Sequence, residues 1–342
     1  GVRDPQSGRA VPLTLLVEDD RSDEKRVRRR VEKLVRRDRI HLLLGPYGSG
    51  LTLAAAEIAE RREYVLWNHG GSSDEVFERG YRWTVGIISP ASRYLVPVLE
   101  LFRSQGARRF AVFAARTGFA SRVASAAADW IRQEGLTLTA ARSYQTGKRS
   151  FAPLLAEIEA DPPDVLLGAG RLEDDLLLGR QLAESKSPIK GVGLVAAGVS
   201  EFGRVLGASS EGVFGPTQWE PRARHPVDYG PTIEEFLAGY RRSTPLPVDY
   251  PAVQAYAAGL VAVRCLEEAS SVDQRALREA ADRVRCTTLY GPFAIDPTSG
   301  RQTAHGILVT QWQDGSRKIV WPAAFAETRP RYPAPPGRRS SA

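Results

Sequence analysis

The apolar positions of this chain follow two alternating rhythms. Short apolar or β-branched runs predict strands at 11–17, 40–44, 64–67, 81–85, 109–114, 136–144, 165–167, 191–195 and 213–217. Between them, apolar residues at helical spacing predict helices at 23–36, 53–62, 92–105, 121–134, 151–160, 172–185 and 200–206. Helices at 232–242, 250–269 and 273–284 follow. Strand–helix alternation of this kind builds parallel sheets with helices on both faces, an α/β class. Leu42-Leu43-Leu44 and Val165-Leu166-Leu167 are apolar on both sides, as such sheets require. The alternation divides into two series, residues 11 to about 88 and 109 to about 217. After Gln218-Trp219-Glu220-Pro221 the pattern turns helical, then ends in a hairpin of 305–313 and 318–321 joined at Asp314-Gly315. Residues 328–342 are rich in Pro and Arg and are expected to be unpaired.

With 342 residues, 42% hydrophobic and 25% charged, the chain has material for about two domains with separate cores. It has no apolar run near the roughly 20 residues of a membrane span. It shows no signal peptide and does not begin with methionine, so its N-terminus reads as processed or trimmed. The net charge of +7 is scattered. Its densest run, 26–37, alternates with Val27, Val31, Leu34 and Val35, the pattern of an amphipathic helix with a solvated basic face. No interleaved aromatics or reading motif accompany it, so no nucleic-acid partner is expected. Cys265 and Cys286 belong to no CxxC or Cys/His cluster, so no metal is expected. They either pair, which would imply an oxidising compartment, or remain buried thiols. His41, His69, His225 and His305 are isolated, and neither GxSxG nor HExxH occurs. No catalytic residue and no cofactor are therefore expected.

Gly45-Pro46-Tyr47-Gly48-Ser49-Gly50-Leu51-Thr52 is the segment with the clearest chemistry. It follows an apolar run and opens a small-residue helix. That arrangement aims free backbone N–H groups, and the positive end of the helix dipole, at the carboxyl edge of a sheet, where an anion such as a carboxylate docks. It is either half of a ligand site or an ordinary strand-to-helix turn.

Motifs spread along the chain carry a family resemblance. Leu16-Val17-Glu18-Asp19-Asp20-Arg21-Ser22-Asp23 resembles a D-D-x-S-D segment, and Gly45 to Gly50 resembles G-P-x-x-S. Tyr144 to Phe151 resembles Y-x-x-G-x-x-D-F, and Asp164 to Gly170 resembles D-x-V-x-x-x-G. Glu211-Gly212-Val213 and Tyr290 to Asp296 complete the series, in order, over nearly all of 11–321. The chain is thereby similar to the type I periplasmic binding proteins of the leucine/isoleucine/valine class, substrate-binding subunits of ABC importers. The resemblance implies two Rossmann-like lobes joined by three hinge crossovers. Lobe 1 would hold 1–88 plus 222–298, lobe 2 would hold 89–221 plus 299–325, and 326–342 would form a tail. The family's first strand and helix precede the segment that starts here. Either they lie upstream or another segment fills their place.

The implied function is capture of an amino acid or a small carboxylate, an aromatic one being one option, in the inter-lobe cleft by hinge closure. The implied partners are that small molecule and a membrane ABC permease, with the chain acting as a monomer. Its implied place is periplasmic or extracellular, with a lipid anchor as one option. The alternative is a ligand-sensing receptor or regulatory domain of the same fold.

The family's carboxylate-holding positions match Ser49 and the loop Gly70-Gly71-Ser72, although Ser49 and Ser72 would equally serve as helix caps. Phe119 matches an apolar wall on lobe 2, or packs in a core. The acidic residue that pairs with a ligand ammonium falls at or near Val195, which cannot balance a cation. A family Tyr falls near Arg171, which either faces the cleft as a carboxylate anchor or is solvated at its lip. Glu173, Asp174 and Asp175 would take the ammonium role or act as first-turn helix acids. Tyr47, Trp67, His69, Trp219 and Tyr250, with Gln254, are expected near the cleft.

Overall fold

The computed structural model describes residues 2–3, 9–185 and 187–334. It forms two compact α/β units. Unit 1 takes the chain up to Pro90 and again over Arg224–Gly306, and unit 2 takes Ala91–Ala223 and the residues from Ile307 onward.

Unit 1 opens with the antiparallel pair β1 (Val2–Arg3) and β2 (Ala10–Val11). The strand expected over 11–17 is otherwise absent, and Leu13, Leu15, Leu16 and Val17 are exposed. The physical reason is pairing: a strand needs a neighbour for its backbone groups, and no described strand runs beside residues 12–17. Helix α1 (Glu24–Arg36) starts at Asp23, whose side chain accepts from the Arg26 N–H. It buries Val27 and Val31 with Ala54, Ala55 and Ile58 of α2 (Ser49–Arg61). Some of its basic residues meet acids, Lys33 and Arg30 on Glu18 and Arg28 on Glu57. Between and after these helices, β3 (Leu43–Leu44), β4 (Leu66–Asn68) and β5 (Thr84–Gly86) form a parallel sheet in that order, with the short α3 (Glu75–Glu78) between the last two.

Unit 2 continues through α4 (Val96–Ser104), β6 (Arg109–Ala115), α5 (Gly118–Gln133), β7 (Thr137–Tyr144) and α6 (Ala152–Glu159). Then come β8 (Val165–Ala169), α7 (Leu172–Glu184), β9 (Gly191–Leu194), α8 (Ser200–Leu206) and β10 (Phe214–Thr217). The chain returns to unit 1 for α9 (Ile233–Ser243), α10 (Tyr250–Ala269), α11 (Gln274–Arg283) and the small hairpin β11 (Cys286–Thr288) and β12 (Gly291–Phe293). It ends with β13 (Leu308–Gln313) and β14 (Ser316–Trp321) in unit 2. The unit 2 sheet runs β14-β13-β10-β9-β8-β6-β7, parallel from β10 to β7 and antiparallel at the β10, β13 and β14 edge. Phe102, Phe110, Phe113, Phe151, Phe202 and Phe214 fill its core.

Two expectations are corrected here. Residues 299–306 group with unit 1 rather than with the second lobe, because Gly300 accepts from the Gly86 N–H at 2.8 Å and Gln302 donates to the Ile87 carbonyl at 3.2 Å. The tail is not unpaired where it is described. Gln313 donates to the Arg329 carbonyl, Gln311 exchanges bonds with the Arg331 backbone, and Tyr332 packs edge-on against Phe102. Residues 335–342 lie outside the described part of the chain. Cys265 and Cys286 are buried free thiols. Burial pushes both upward, Cys286 to about 11.

Candidate functional site

In unit 1 the site is assembled at the carboxyl ends of β3 and β4. Gly48 caps α2 with φ 109°, a left-handed conformation that favours glycine, and no side chain caps this end. The first-turn N–H groups from Ser49 onward therefore have no partner within the helix, and they carry the positive end of its dipole. The 69–72 loop lies directly against this turn. Gly48 donates to the Gly70 carbonyl at 2.9 Å and Gly45 to the Trp67 carbonyl at 3.0 Å. A Cβ on Gly70 would fall 2.5 Å from the Tyr47 Cα, so only glycine permits this approach.

Ser49 and Ser72 do not cap helices, because the capping positions of α2 and α3 are Gly48 and Asp74. Instead the Ser49 hydroxyl accepts from the Ser73 N–H at 3.0 Å, which leaves its own hydrogen to donate. Ser72 is buried beside it in the same loop. Sequence reasoning missed Asn68. Fully buried, it donates to the Gly71 carbonyl at 2.8 Å and accepts from the Gly70 and Gly71 N–H groups at 3.2 and 2.8 Å. It shapes the whole loop. An Asn ending a strand just before Gly-Gly is the signal that would have found it.

The aromatic residues of unit 1 divide. Tyr47 is exposed and its hydroxyl lies 3.5 Å from that of Tyr250, at the start of α10. Trp67 is wholly buried, and its indole N–H lacks a hydrogen-bond partner among the described residues. His69 is half-buried with Nδ1 unpartnered, and burial pushes its pKa below the ordinary histidine value. It is therefore a neutral ring near pH 7. Gln254 is buried and accepts from the Tyr290 hydroxyl at 3.4 Å.

In unit 2 the corresponding residues sit at the carboxyl ends of β6, β8 and β9. Phe119, in the first turn of α5, is half-buried and meets Tyr94 edge-on at 5.0 Å. Arg171 caps α7 with its side chain exposed, and no described residue pairs with it. Val195 opens a short 3-10 turn and is half-buried. Glu173 is exposed, whereas Asp174 and Asp175 are buried. Trp219 is 2% exposed, and the Thr217 hydroxyl donates to its carbonyl at 3.0 Å. Among the described residues no cluster of His, Cys, Asp or Glu could hold a metal, and no helix is long and apolar enough to cross a membrane.

Unit 1 thus holds Ser49 and the 69–72 loop at a helix N-terminus of the kind that suits an anion, with the Tyr47 hydroxyl beside that of Tyr250. Unit 2 gathers Phe119, Arg171 and Val195 on strand ends, where α/β sheets receive ligands.

Comparison with known proteins follows the same line. A family model described as periplasmic binding protein matches residues 6–317. A Leu/Ile/Val-binding protein homolog 7 of Brucella abortus (strain 2308) is 23% identical, over 93% of this chain and 84% of its own. The leucine-binding protein LivK of Thermotoga maritima superposes with a TM-score of 0.77 at 18% identity, covering 88% of this chain and 85% of that one. The solute-binding protein of an ABC transporter from Rhodopseudomonas palustris, solved in complex with benzoate, gives a TM-score of 0.74 at 14% identity, over 93% and 84%. At these identities the structural likeness is one of fold.

Proposed function

Because the chain belongs to the periplasmic binding protein family, we propose that it is the extracytoplasmic solute-binding subunit of an ABC importer. Its ligand is an amino acid or a small aromatic carboxylate, taken up by hinge closure and handed to a membrane permease. The observation that carries the reading is the uncapped N-terminus of α2, with the Ser49 hydroxyl free to donate and the Gly70 loop pressed against it. These donors suit the ligand carboxylate. Arg171, exposed and without a partner among the described residues, is the second anchor for a carboxylate or another polar acceptor. Val195 offers nothing to an ammonium group, which favours acids that lack one. The benzoate held by the R. palustris relative supports the aromatic choice.

A thermal-shift panel of leucine, phenylalanine, benzoate and 4-hydroxybenzoate tests this. A ligand at a hundred times its Kd stabilises the folded state by about 2.7 kcal/mol, a readily visible shift. Arg171→Ala is expected to weaken the best acid about 10- to 100-fold, since a hydrogen bond to a charged group contributes about 1.5–3 kcal/mol. No shift with any acid overturns the reading. An amino acid that binds and ignores Arg171→Ala moves the second anchor elsewhere.

A further inference from the structure

Three loops leave the carboxyl ends of β7, β8 and β9, and two adjacent acids tie them together. Asp174 Oδ1 accepts from the Gly147 N–H at 2.9 Å and the Lys148 N–H at 3.4 Å, in the loop after β7. Asp175 Oδ2 accepts from the Ala196 N–H at 2.8 Å, in the turn after β9. Both acids project from the first turn of α7, immediately after the loop that carries Gly170 and Arg171. Their remaining oxygens, Asp174 Oδ2 and Asp175 Oδ1, are buried without hydrogen-bond partners, and so is the Tyr144 hydroxyl at the end of β7. Two of them, Asp175 Oδ1 and Tyr144 Oη, face Gly170. A Cβ there would meet Asp175 Oδ1 and would lie 2.6 Å from Tyr144 Oη and 3.0 Å from Asp174 Cβ.

Two side-by-side buried carboxylates with unfilled acceptors call for a donor. No donor among the described residues reaches either oxygen, so a proton on Asp175 itself takes that place and removes its buried charge. We infer that a proton held on Asp175 positions this rim, locking the loops after β7, β8 and β9 together, and that its departure to solvent loosens all three. The consequence for ligands rests on the proposed function, because Arg171 and Val195 ride on this rim. Burial, with the Asp174 charge as a smaller cause, pushes Asp175 up to about 7, and the bonds from the Ala196 and Gly170 N–H groups only partly offset this. The titratable groups that act on it are Asp174 from its own helix and Tyr144 from β7; the β8 loop and the turn after β9 offer it backbone N–H groups.

The sign follows from linkage. Asp175 keeps its proton when closed and loses it near pH 4 when opened, so opening becomes easier as pH rises from about 4 to about 7 and then levels off. The limiting slope is about tenfold per pH unit. The test is amide hydrogen exchange on the ligand-free protein between pH 5 and 8, corrected for the intrinsic pH dependence of exchange. Protection of residues 145–149 and 195–198 is expected to fall together by at least about tenfold between pH 5 and 7. Asp175→Asn keeps an acceptor for the Ala196 N–H and supplies a permanent donor, so its protection should be high and flat. Wild-type protection that stays level, or an Asp175→Asn variant that follows the wild-type curve, overturns the inference. No ligand is present, so failure here and failure of the proposed function are separate results.

Discussion

Arg278→Leu is expected to lower the stability of unit 1 by about 3–5 kcal/mol. Arg278 is 1% exposed in α11. Its Nε donates to the Arg82 carbonyl at 2.6 Å, Nη2 donates to the Pro297 carbonyl at 2.9 Å, and Nη1 pairs with Asp282. One planar fork thus joins the approach to β5, the segment after β12, and its own helix. Leucine fills much of the volume but removes the guanidinium's bonds to two part-buried carbonyls and a partly exposed carboxylate, each bond to the charged group being worth about 1.5–3 kcal/mol. Lysine should rescue little, because a single ammonium cannot reproduce the fork. Urea denaturation followed by circular dichroism reads the effect as a lower midpoint at unchanged slope. A loss below about 1 kcal/mol would show that the surroundings relax around the vacancy.

Gly70→Ala is expected to abolish high-affinity carboxylate binding while preserving secondary structure. The added methyl would press on the backbone of Pro46 and Tyr47, and backbone cannot swing aside as a side chain does. The 45–48 turn and the 69–72 loop must part, breaking the bond from Gly48 N–H to the Gly70 carbonyl and displacing the Ser49–Ser73 contact. A misplacement of about 1 Å in such a seat is enough for a loss on the order of 100-fold. Gly50→Ala is the control: it lies in the first turn of α2, and its Cβ would meet only the flexible end of Glu24 at 3.2 Å. Calorimetric titration with the best acid should separate the two variants. Equal affinities would mean that this loop does not form the seat.

Much of the fold was legible because its signals are local. The helices Ser200–Leu206 and Tyr250–Ala269 have the bounds their periodicity predicts. Helix α2 begins four residues before its predicted start at 53, because Gly48 supplies a conformation the apolar pattern does not encode. The expectation for 11–17 failed for a non-local reason: its alternation reads as a strand, but the ladder depends on a neighbour. The β11–β12 hairpin escaped notice because its strands have three residues each and its turn, Leu289-Tyr290, holds none of the usual turn residues. At the site, the glycine turn and Ser49 could be read from type and order. Burial could not: Trp67, Trp219, Asp174, Asp175 and Arg278 are set inside by partners distant in sequence. Arginine and aspartate ordinarily stay outside, so nothing in their spacing marked these three.

The central claim is that the seat in unit 1 holds a carboxylate. It is tested most directly by titrating the protein in a calorimeter with benzoate and, separately, with benzamide, which keeps the ring and removes the charge. The expected result is saturable one-to-one binding of the acid with no measurable heat from the amide. Equal binding of both, or binding of the amide alone, would contradict it.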